Sequence, residues 1–135
     1  GPVWDFDNTF DNYVGTKLEP DAFHVANNAM FARLMQDRAF VDAVCEKWRS
    51  LREDILSEET LVNQIRSDVL YLRDAVSRNF GLYPNSLKYG MLDRNDEADQ
   101  IHSYEQAITQ LTDCVIARGR FMDDHITALY SYCIN

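Results

Sequence analysis

The chain of 135 residues has room for one domain and too little length for two comfortable ones. Its 13 basic against 22 acidic side chains leave a formal charge of −9. That balance argues against a duplex nucleic-acid binder and an electrostatic membrane anchor, both of which need a cationic face.

A hydrophobic fraction of 46% excludes general disorder, and only 5 Gly and 3 Pro favour long helices over a turn-rich β fold. No run approaches ~18 consecutive apolar residues, so no membrane span is expected. Residues 1–20 form a segment of their own. Val3-Trp4-Asp5-Phe6-Asp7 alternates apolar and acidic side chains, the period of an extended arm. Asn8, Asp11, Asn12 and Gly15 then signal turns, and Pro20 closes the segment. The opening Gly1-Pro2-Val3-Trp4 has no polar lead-in and reads as the interior of a longer protein.

From about residue 27 the pattern turns helical. Asn28 is placed to cap a short helix with Met30, Phe31, Leu34 and Met35 as its apolar positions. Asp37 is placed to cap the next, whose stripe is Val41, Val44, Trp48, Leu51 and Ile55. Its opposite face carries Asp42, Glu46, Arg49, Arg52 and Glu53. Ser57 caps a third helix, with Glu58 and Glu59 in the first turn, where the helix dipole favours anions. Leu61, Ile65, Val69, Leu72, Val76 and Phe80 line one side of it, and Gly81 is the expected stop. Residues 82–102 lack a period and read as a long loop. Ser103 and Gln106 then form a capping box for a last helix running to about Cys133. Its stripe is Tyr104, Ile108, Leu111, Val115, Met122, Ile126, Leu129 and Cys133, and Gly119 within it marks a bend or a close crossing.

The predicted fold is therefore mainly α. It is a small helical bundle of three long helices plus a short one, with an extended N-terminal arm. Residues 1–20 make the arm, and residues 21–135 make the bundle domain.

The sharpest chemical signal is Asp5-Phe6-Asp7. On a regular strand the two carboxylates point to opposite faces; a bend after Asp5 brings both to one divalent cation. Magnesium is a hard ion that takes carboxylate oxygens together with substrate phosphates. Trp4, Phe6 and Phe10 would anchor such an arm while the acids stay presented. The alternative is a plain polar turn, since Asp and Asn are also turn formers.

Other groups point elsewhere. Cys45, Cys114 and Cys133 are odd in number and contain no CxxC pair, which favours buried thiols over a zinc site. His24, His102 and His125 share no ligand spacing. Lys47, Arg49 and Arg52 cluster on one helix, where a solvated face pairing with Glu46 or Glu53 is expected over phosphate contact.

Two resemblances follow. Asp5-Phe6-Asp7-Asn8-Thr9 is similar to the D-x-D-x-T motif of haloacid-dehalogenase-type phosphatases. That likeness implies Asp5 as nucleophile and Asp7 as general acid/base. The strands which that fold needs have no counterpart after residue 20, and Asp123-Asp124 falls inside a helical pattern.

More of the chain resembles the spore coat protein H (CotH) kinase-like family. Gly1-Pro2-Val3-Trp4-Asp5-Phe6-Asp7 with Phe10 is similar to its opening signature. Ala32-Arg33-Leu34-Met35-Gln36-Asp37, Phe40-Val41, Trp48-Arg49-Ser50-Leu51-Arg52 and Met122-Asp123-Asp124-His125-Ile126 extend the likeness over most of residues 1–133. It implies an atypical protein kinase using ATP with Mg²⁺ or Mn²⁺, in which Asp5, Asp7 or both hold the metal.

No Gly-rich phosphate loop, ATP-binding Lys motif or catalytic-loop motif occurs in the 135 residues. The chain thus reads as the C-terminal helical part of such a kinase. An N-terminal kinase lobe would be its partner, the fragment alone would be inactive, and it would need no cofactor. The protein substrate is not legible. The resemblance fits a bacterial surface, secreted or spore-coat location. The remaining alternative is a non-catalytic helical protein-interaction module.

Overall fold

The computed structural model describes Phe23, residues 28–86 and residues 101–134. The predicted N-terminal arm, with Asp5 and Asp7, and most of the predicted loop at 82–102 lie outside the described residues. The architecture is mainly α, with three long helices and a short one and no strand among the described residues. The described chain divides into two compact units. One comprises residues 62–86 and 101–115; the other comprises Phe23, residues 28–61 and residues 116–134.

Helix α1 spans Ala29–Leu34, and the Asn28 side chain accepts from the backbone N–H groups of Met30 and Phe31 at 2.9 and 3.3 Å. Helix α2 spans Arg38–Arg52, where Asp37 accepts from the Ala39 N–H at 2.8 Å. Both caps satisfy donors that the first helical turn leaves without partners. Helix α3 spans Glu58–Leu82. Ser57 accepts from the Thr60 N–H at 3.1 Å, and the two hydroxyls meet at 2.8 Å.

Gly81 does not stop α3 as expected, because the helix runs through it to Leu82. Proline supplies the reason. Pro84 has no N–H to continue the ladder, and its ring disfavours helical geometry at Tyr83.

Helix α4 spans Tyr104–His125. Its capping box forms: Ser103 Oγ accepts from the Gln106 N–H at 3.1 Å. Gln106 Oε1 reaches back to the His102 N–H at 2.7 Å.

The last helix was expected to continue unbroken to Cys133. Instead α4 ends at His125, and a 3-10 helix covers Ile126–Tyr132. The break sits at His125, whose backbone leaves helical geometry (φ −121°, ψ −1°) and whose ring Nδ1 lies 3.0 Å from the Phe121 carbonyl oxygen. Tighter winding has a consequence for packing. With three residues per turn, positions three apart eclipse, so Ile126 and Leu129 share one face. Both are buried there.

They close a cluster with Met35, Val41 and Cys45. Phe23, Phe40, Val44, Trp48, Met122, Tyr130 and Cys133 pack around it half-buried. The Cys45 thiol lies 3.7 Å from the Ile126 carbonyl oxygen, to which it donates. The tail is tied back where the Ile134 N–H donates to the Gln36 carbonyl at 3.1 Å.

The expected α1 stripe is corrected. Met30, Phe31 and Leu34 remain exposed, and Met35, at the helix end, enters the core. The α2 stripe holds through Leu51, but Ile55 lies beyond the helix and is exposed.

Candidate functional site

Asp5 and Asp7, the expected metal ligands, lie outside the described residues, as does His24. Among the described residues there is no group of three or more His, Cys, Asp or Glu side chains that could hold a metal ion. His102 and His125 belong to no such cluster, and the three cysteines form no disulfide, with Cys45 buried.

What the structure does bring together is a polar clasp at the end of α2. The Arg52 guanidinium grips Asp123 with Nε 2.9 Å from Oδ1 and 3.0 Å from Oδ2, and with Nη2 2.7 Å from Oδ2. Trp48 Nε1 donates to the same Oδ1 at 3.0 Å. Arg52 also donates through Nη1 to the Leu56 carbonyl. The expected solvated face is therefore corrected for Arg52, whose side chain is only 15% exposed and pairs with Asp123 in place of Glu46 or Glu53. Lys47 and Arg49 are exposed, as expected.

Gly119 makes room for the clasp. A Cβ there would meet Arg52 Nη1, Cζ and Nη2 at 3.2, 3.3 and 3.3 Å. The close crossing expected at this glycine is thus the passage of one guanidinium over the α4 backbone. Gly119 and Asp123 stand four apart, so they share a helix face, and the arginine lies over both. Planar two-pronged pairing of this kind is stronger and more directional than a lysine contact.

Hydrogen bonds from Arg52 hold the Asp123 carboxyl below its usual value; partial burial opposes them, and the Trp48 N–H adds to the lowering. Arg52 and Trp48 thus both donate to the charged form of Asp123. This occupies Asp123 in holding α2 to α4, and Asp124 beside it is exposed.

Three further contacts frame the same unit. Arg120 pairs with Glu58 at 2.9 Å between Nη2 and Oε1. The Tyr130 hydroxyl donates to Asp42 at 2.6 Å, while the Arg38 guanidinium carbon stands 5.2 Å from the ring centre. Phe121 stacks on His125 at 4.6 Å and meets Phe23 at 5.1 Å, and Arg118 lies over both phenyl rings.

Concavities open on both units among the described residues. An apolar groove of about 340 Å³ runs along Phe40, Val44, Trp48, Leu51, Met122 and Ile126. In the other unit, a cleft of about 530 Å³ opens between Phe80, Pro84, His102 and Tyr104.

The clasp is not legible in local sequence patterns, because 71 residues separate its charged partners. The usable signal was the pairing of Gly119 with Asp123 one turn on.

These observations define a mainly α chain in which Asp123 is held by Arg52 and Trp48 at the contact of α2 with α4. The family model described as CotH kinase protein matches residues 1–122. That match includes Trp4, Asp5 and Asp7 and reaches through most of α4, and the chain belongs to this family. No curated protein and no solved structure matches it.

Proposed function

We propose that this chain serves ATP- and divalent-metal-dependent phosphoryl transfer as the C-terminal helical region of a CotH-like atypical protein kinase. The observation that carries this reading is the family match, because it runs across the acidic segment at residues 5–7 as well as the helices. The donor set is chemically suited to the role. Two carboxylates offer the hard oxygen ligands that Mg²⁺ or Mn²⁺ requires, and both ions are held in such enzymes together with nucleotide phosphates. A divalent ion held by Asp5, Asp7 or both would neutralise charge on the transferring phosphates. The aromatic residues Trp4, Phe6 and Phe10 would fix the acids by packing.

Phosphoryl transfer also requires a cover over the phosphates and a catalytic base. Residues 1–135 carry no motif for either, so these would come from a kinase lobe contributed by further polypeptide. Such a lobe is the partner proposed here, and the phosphate acceptor would be a protein hydroxyl.

A Mn²⁺ titration of this chain, followed by the loss of the free-ion EPR signal, tests the ligand assignment. Weak binding that disappears in the double variant Asp5→Ala/Asp7→Ala is expected. Unchanged binding in that variant would remove both residues from the metal site. In the protein carrying its nucleotide lobe, either single variant should depress phosphate transfer from labelled ATP, and wild-type rates in both would overturn the reading. Hydrolysis of an aryl phosphate by this chain alone, lost on Asp5→Asn, would instead favour the phosphatase-like alternative.

A further inference from the structure

We draw no further inference here: the strongest candidate, the apolar groove along Phe40, Val44, Trp48, Leu51, Met122 and Ile126 with Lys47 beside it, carries nothing because nothing in the structure shows what covers it.

Discussion

In the unit formed by Phe23, residues 28–61 and residues 116–134, five side chains close into one buried cluster, with Val41 and Cys45 fully removed from solvent. In residues 62–86 and 101–115, Ile101 is the one buried side chain among the described residues. Yet both units are cut from helices with good apolar stripes. Ile65, Val69, Val76 and Phe80 on α3, and Ile108, Leu111 and Val115 on α4, are all half-buried. The difference lies in the partner surface. Around Val41 and Cys45, the 3-10 helix turns Ile126 and Leu129 onto one line, where both are buried. Amphipathic periodicity identifies which face of a helix is apolar; the depth to which that face is buried depends on what is packed against it.

The largest expected effect sharpens this contrast directly. Leu129 is 2% exposed and Leu72 is 43% exposed, although the same residue type occupies an apolar stripe in each. Leu129→Ala should cost about 2–5 kcal/mol, the range for a cavity in a closed core. Leu72→Ala should cost less than about 1 kcal/mol, because little area returns to water. Urea unfolding followed by circular dichroism measures both. Equal losses would show that the two units are packed alike.

Gly119→Ala should have the next largest effect, and its sign depends on Arg52. Alanine favours a helix interior by about 1 kcal/mol over glycine. Here its methyl would press on a guanidinium held on one side by Asp123 and on the other by the Leu56 carbonyl. In the native background Gly119→Ala should lower stability. In an Arg52→Ala background the same change should raise it. A double-mutant cycle reads the coupling, and an equal gain in both backgrounds would mean that the guanidinium yields freely.

Local features were the most legible part of the sequence. Asn28, Asp37, Ser57 and Ser103 cap where their residue types and spacing indicate, because a cap depends on atoms two or three residues away. The three long helices and the short one follow from the same local rules. The 3-10 helix was not legible. Ile126, Leu129 and Cys133 fit an α stripe as well as they fit a tighter one, and the geometry of His125 decides between them. The buried thiol expected at Cys45 is found, as deeply enclosed as Val41, whereas Cys114 and Cys133 are half-buried. Helix spacing pairs Arg52 with its neighbours Glu46 and Glu53, because spacing along one helix shows local partners alone. Its real partner is brought near by the tertiary fold. Of the expected site, Asp5 and Asp7 lie outside the described residues, while the family likeness read from the sequence is borne out by the match over residues 1–122.

Asp123→Asn separates the electrostatic part of the clasp from the packing beneath it. The loss should be on the order of 1 kcal/mol near neutral pH, since Asp123 is 38% exposed and water screens the pair. The pH dependence has a definite sign. A carboxyl held below its ordinary value of 3.8 contributes stability that is complete above that value and is lost as pH falls through the lowered one. The stability gap between wild type and Asp123→Asn should therefore close on acidification below about pH 4. A gap that stays constant through that range would assign the effect to shape instead of charge.

The smallest effect, and the most local, concerns the other end of α2. Tyr130 donates to Asp42, and this hydrogen bond, followed by burial and the Asp42 charge, pushes the phenol from its ordinary 10.0 up to about 12. Folding then favours the protonated phenol. Its contribution is complete below about pH 10 and fades as pH rises through about 12. Ultraviolet titration of tyrosinate should show a late step that is absent from Tyr130→Phe and that moves back towards 10 in Asp42→Asn. If Asp42→Asn leaves that step in place, the shift comes from burial beside Cys45, and the core in this unit extends further towards the Tyr130 hydroxyl than the hydrogen bond alone requires.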